Sequence, residues 1–140
     1  MANLDEPGVV APATVRRWVN AVLDGEGVGA AALSITFLTP AKMRGLNFRT
    51  RRRNRATDVL AFPLTHLGVV AGDIYICPAV ATRSAVEQGV PLREELLRLV
   101  VHGTLHVLGH DHPEGTARSD APMWRAQERY VRQISPRSVH

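Results

Sequence analysis

The sequence predicts an α+β fold, a small mixed sheet of about three to four strands covered by about five helices. Three observations carry that expectation. Several stretches place apolar residues at helical spacing, open at threonine or proline and stop at glycine. Shorter stretches are rich in β-branched and aromatic residues with alternating polarity, the pattern of strands. The order of these stretches is helix, strand, helix, strand, strand, helix, helix, helix.

Residues 1–12 contain Pro7, Gly8 and Pro12 and read as irregular, with Val9 and Val10 as a possible short edge strand. Residues 13–24 form a helix with Val15, Trp18, Val19 and Val22 on one face, ended by Gly25, Gly27 and Gly29. Residues 31–38 (AALSITFL) are a strand. Thr39-Pro40 is a cap followed by proline at the first helical position, so a short helix is expected over 40–48. Residues 49–56 read as a charged loop, and 57–64 and 69–77 as strands of a hairpin, with Gly72 as a candidate bulge. Pro78 opens a helix that Gly89 closes, and Pro91 opens the next, which runs to Gly109. A last helix is expected over 120–134. Trp18, Phe37, Phe62 and Leu96 are expected in the core, and Trp124 against the helix before it.

The length of 140 residues suits one domain, 1–140, with a core of its own. The single cysteine, Cys77, cannot form an internal disulfide, which fits a reducing compartment. No signal-peptide pattern opens the chain and no apolar run is long enough for a membrane span, so the expectation is a soluble cytoplasmic protein with no membrane partner. Seventeen basic residues face thirteen acidic ones, and Lys42 is the only lysine. An arginine-rich surface suits phosphate, which a guanidinium grips with two donors.

The functional signal lies in the 91–108 helix. Its first half is expected to show Arg93, Glu94, Glu95 and Arg98 to solvent, while its second half, LVVHGTLHVL, is apolar almost all round, yet it contains His102 and His106. Four residues advance a helix by about 400° and about 6 Å, so both rings share one face. Gly109 can end the helix at positive φ and let the chain return with His112. A single histidine in such a helix would read as a hydrogen-bonded core residue. Four of the six histidines fall within eleven residues, however, and that points to one metal ion held by His102, His106 and His112. Three imidazoles plus water form the open, catalytic type of zinc site, although nickel, copper or iron also suit nitrogen ligands. His110, beside the turn, is expected to point elsewhere, and the isolated His66 and His140 to lie at the surface. Zinc proteases share the HxxxHxxGxxH spacing but place a glutamate base after the first histidine, where this chain has Gly103.

HGTLHVLGHDH (102–112) resembles the HGxLHLxGyDH signature of the YbeY-type endoribonucleases, bacterial ribosomal RNA maturation factors. LNFRTRRRNRATDVLAFP (46–63) is similar to that family's LNxxyRxkdkpTDVLSFP, and GDIYIC (72–77) to its GDIxIc. The match runs from about Trp18 to Met123, which falls where the family has a methionine after the metal motif. The chain departs from the pattern at His110, Thr50 and Ala56, and the family's N-terminal strand is short or missing.

The resemblance implies a metzincin-like site with one Zn2+ per chain, held by His102, His106 and His112. It implies cleavage of single-stranded RNA, action on the 3′ end of small-subunit (16S) ribosomal RNA, ribosome quality control, and partners on the ribosome. It carries the family's functional arginine to Arg51, which would stabilise transition-state charge. Arg49, Arg52, Arg53 and Arg55 crowd the same segment and read either as a solvated loop or as a track for an RNA backbone. Asp111 and Met123 are candidate supports behind the ligands. Two competing readings remain: a metalloprotease-like hydrolase, against which Gly103 argues, and a non-catalytic ribosome-associated module with structural zinc.

Overall fold

The computed structural model describes residues 10–110 and 122–135. Among them are five helices and three strands: α1 (Pro12–Gly25), β1 (Ala31–Phe37), α2 (Pro40–Arg51), β2 (Val59–Pro63), β3 (Val70–Ile76), α3 (Pro78–Gln88), α4 (Leu92–Val107) and α5 (Pro122–Ile134). The sheet order is β1-β3-β2. β1 runs parallel to β3, from Ala31 opposite Val70 to Phe37 opposite Ile76. β2 runs antiparallel to β3, from Val59 opposite Ile76 to Pro63 opposite Gly72. The sheet is therefore mixed and the hairpin is present. Val10 lies in no strand, and Val9 falls outside the described residues.

Local chemistry accounts for most boundaries. Thr39 accepts from the Lys42 backbone N–H at 3.2 Å, and Pro40 follows it into α2. α3 ends at Gly89 and α4 just before Gly109, both at positive φ. The charged loop expected over 49–56 begins later than its composition suggests. α2 continues through Arg51, so Arg49, Thr50 and Arg51 are helical. Arginine is a good helix former, and the helix stops only where Arg52 adopts the left-handed conformation (φ 59°, ψ 30°).

Side chains alternate across the sheet and build two cores. Ile35, Phe37, Ile74 and Ile76 face the main core, made with α1, α3, α4 and α5; Trp18 and Leu96 are buried there as expected. The opposite face carries Leu60 against Met43 of α2 and Cys77, with Phe62 and Tyr75 partly buried around them. Phe62 is thus only partly buried, at the rim of the smaller core rather than central, because it sits on an edge strand of the described sheet.

α4 seats on β3 through two reciprocal glycines. A Cβ at Gly103 would come within 2.7 Å of Ile74 Cγ2, and a Cβ at Gly72 within 2.6 Å of Val107 Cγ2. Gly72 is therefore no bulge: its pairing with Leu33 and Pro63 is regular, and the missing side chain makes room for the helix.

Candidate active site

The buried second half of α4 presents two polar rings at one face. The imidazoles of His102 and His106 are half-buried, with centroids 4.8 Å apart and planes at 67°. They form one wall of an open cleft of about 660 Å³. The other wall comes from the C-terminal turn of α2 and the segment after it, including Arg51, Arg53 and Arg55. β2 supplies Val59, Leu60 and Ala61 between them. Among the described residues β2 pairs only with β3, and the cleft lies along its other edge, where α2 on one face and α4 on the other both reach.

Arg51 is anchored to this edge. Its Nη2 donates to the Ala61 carbonyl at 3.4 Å, and its guanidinium lies over the Phe62 ring at 5.4 Å. Phe62 in turn meets Tyr75 edge-on, with centroids 5.9 Å apart. The segment after α2 is tied down by Asn47, whose Nδ2 donates to the Arg55 carbonyl at 3.1 Å. The structure thus brings Arg51, Arg53, Arg55, His102 and His106 around one space. Arg49 and Arg52 are exposed outside its wall.

His112 and Asp111 lie outside the described residues. Among the described residues no three histidine, cysteine, aspartate or glutamate side chains gather as a metal site; His102 and His106 are a pair. The pair suits a borderline metal ion, since both rings are nitrogen donors on one helix face. Met123 is buried in the main core and lines no part of the cleft. His110 turns away: its Nε2 lies 2.6 Å from Glu26 Oε1, while the Tyr130 hydroxyl donates to Glu26 Oε2 at 2.6 Å. The Tyr130 hydrogen bond holds the Glu26 carboxyl below its usual range, and His110 and Arg129 add to this against the opposing effect of burial. Gly103, in the place of the protease glutamate, faces Ile74 in the sheet instead of the cleft.

Behind His102 lies a polar cluster that residue spacing did not reveal. His102 Nδ1 is 2.7 Å from Gln127 Oε1, and Gln127 Nε2 donates to Glu128 Oε2 at 3.0 Å. Arg98 donates to Glu128 through Nε at 2.8 Å and Nη2 at 3.0 Å, and also reaches Glu95 (3.0 Å) and Glu94 (3.2 Å). Burial alone would make Arg98 less basic, but its bonds with Glu128, Glu94 and Glu95 outweigh that and raise its pKa. Burial likewise pushes Glu128 up, and Arg98 and Gln127 more than reverse it. The only sequence hint of this cluster is a run of charges, Glu94, Glu95 and Arg98, assigned to solvent when read as a surface stripe.

A sequence profile described as "Endoribonuclease YbeY" matches residues 4–135. The chain is 42% identical over 112 residues to the endoribonuclease YbeY of Alkalilimnicola ehrlichii, a span of 75% of this chain and 68% of that one. It is 35% identical over 120 residues to that of Aquifex aeolicus, covering 84% and 79%. The solution structure of TM1509 from Thermotoga maritima superposes with a TM-score of 0.63 at 26% identity, over 90% of this chain and 84% of that one.

Proposed function

The chain belongs to the YbeY endoribonuclease family, and from that we propose a metal-dependent endoribonuclease that cuts single-stranded ribosomal RNA in the cleft between the α4 histidines and Arg51. One observation carries the reading: two imidazoles and an anchored arginine line the same cleft from opposite walls. His102 and His106 would hold zinc together with His112, one ion per chain. Such an ion would supply Lewis acidity at the scissile phosphate.

The chain's own residues do the rest. Arg51 faces the cleft with its guanidinium already positioned by the Ala61 carbonyl and the Phe62 ring, so little reorganisation is needed to meet the charge that builds on the phosphate. Arg53 and Arg55 lie along the same wall and would follow the flanking backbone without reading bases. Arg49 and Arg52 would extend that track outside the cleft. The biological setting we assign is the cytoplasm, with ribosomal RNA as substrate and the ribosome as partner. Among the described residues no helix is long and apolar enough to cross a membrane.

The protease alternative lacks its base. Gly103 packs on Ile74, and a glutamate there would point into the sheet. The test incubates purified protein with single-stranded RNA and with casein, each with and without a chelator. We expect RNA cleavage that the chelator stops and zinc restores, with casein intact. Chelator-resistant RNA cleavage by metal-free protein would overturn the metal assignment, and casein cleavage would favour the protease.

A further inference from the structure

We infer that Gln127 is a positioning residue: it fixes which ring nitrogen of His102 carries hydrogen, and so leaves Nε2 as the basic one. This rests on the metal reading for its purpose but not for its geometry. Gln127 lies on α5 and is 1% exposed, among Met123, Ala126, Tyr130 and Val131 of the main core. A buried amide must satisfy both its ends, one donor and one acceptor.

The orientation of that amide follows from its neighbours. Glu128 receives two hydrogen bonds from Arg98 and is a carboxylate, an acceptor only. Gln127 meets Glu128 Oε2 at 3.0 Å, so the group on that side must be the NH₂. The reverse orientation would set a carbonyl oxygen against a carboxylate oxygen. The carbonyl Oε1 therefore faces His102, 2.7 Å from Nδ1. Two acceptors cannot share that distance, so Nδ1 must be the protonated nitrogen. In neutral imidazole the lone pair is then on Nε2. Metal-binding histidines are held in this way by an acceptor on their other nitrogen, and loss of the acceptor weakens the metal by about 10–100-fold.

The chain of constraint begins further back. Arg98 is fixed by Glu94 and Glu95 on its own helix and by Glu128 on α5. Gln127 and Glu128 thus couple the ring state of His102 to the docking of α5 on α4. A purely packing role would need no amide: a residue of similar volume without an acceptor, such as methionine, would fill the site.

The test uses full-length protein labelled with ¹⁵N in histidine, as wild type, Gln127→Met and Gln127→Glu. Long-range ¹H–¹⁵N spectra of metal-free protein report which nitrogen of His102 is protonated, and competition with a chromophoric chelator reports zinc affinity. Wild type should show Nδ1–H at His102. Gln127→Met should lose that preference and bind zinc about 10–100-fold more weakly, with an unchanged far-UV circular dichroism spectrum. Gln127→Glu retains an acceptor toward His102, with the oxygen facing Glu128 Oε2 carrying the carboxyl proton in place of the lost amide donor, and should keep Nδ1–H. An unchanged His102 tautomer in Gln127→Met would overturn the inference. So would loss of Nδ1–H in Gln127→Glu, which decides the matter if the methionine variant does not fold. A wild type that takes up no zinc, with the tautomer responding as stated, would sink the metal reading while supporting this one.

Discussion

Arg51 has two kinds of support, a carbonyl acceptor at Ala61 and an aromatic face at Phe62, and they make different demands. A planar guanidinium satisfies both; an ammonium cannot stack and fork at once. Arg51→Ala is expected to lower kcat for RNA cleavage by about 100-fold, the scale of losing one transition-state donor, with zinc stoichiometry unchanged. Arg51→Lys should recover only a small part of that loss. Wild-type rates in either variant would remove Arg51 from the reaction. The gathering of Arg51, His102 and His106 at one cleft was legible in the sequence, because helical spacing carries the two histidines and the family motif the arginine. Gln127 was not. It has no spacing relation to His102, 25 residues away, and its value depends on α5 docking beside α4. Glu94, Glu95 and Arg98 were legible as charges and misplaced as solvent-facing, since a one-dimensional stripe cannot show that α5 brings Glu128 to cover them.

At the level of elements, the placement of the site depends on how closely α4 approaches β3. Gly103 admits Ile74 and Gly72 admits Val107. Gly103→Ala and Gly72→Ala should each destabilise the fold by about 1–3 kcal/mol, the usual scale of overpacking. Val107→Ala should partly rescue Gly72→Ala and do nothing for Gly103→Ala, a contrast that denaturant unfolding of single and double variants will show. Rescue of both, or of neither, would mean that the contacts are not local. The order of elements and the hairpin were legible from periodicity and punctuation. The end of α2 was not, because a run of arginines is compatible with helix and with loop. What decides it is the tertiary tie from Asn47 to the Arg55 carbonyl and the turn at Arg52. Gly72 was misread for a related reason: a glycine in a strand marks either a bulge or a close neighbour, and the neighbour, Val107, lies 35 residues on.

For the molecule as a whole, charge sets two responses. Glu26 and Glu128 both titrate below the ordinary 4.5 when folded. A group more acidic in the folded than in the unfolded state gives stability that is complete above the unfolded value and fades as pH drops through the folded one. Thermal midpoints should therefore fall as pH goes below 4.5, and Glu26→Gln should lower the midpoint at pH 6 more than at pH 3. An equal effect at both would show that the Glu26 carboxylate is not what ties Tyr130 and His110 together. The arginine segment predicts the second response. If three of its side chains meet phosphates, the logarithm of the affinity for single-stranded RNA should fall by about two units per tenfold increase in salt. A flat titration would remove the segment from the interface. The two sides of the cleft are also built differently. His102 and His106 ride on a helix locked into the sheet, whereas residues 52–57 have no regular structure, with Asn47 holding the Arg55 carbonyl and Ala56 packed on the smaller core. We expect one side to act as an anvil and the other as an adjustable jaw. In amide hydrogen exchange, 101–107 should open only with global unfolding, and bound RNA should slow exchange in 52–57 while leaving the anvil unchanged. The enzyme would then accommodate different RNA strands by moving its arginines, with the histidine geometry the same for each.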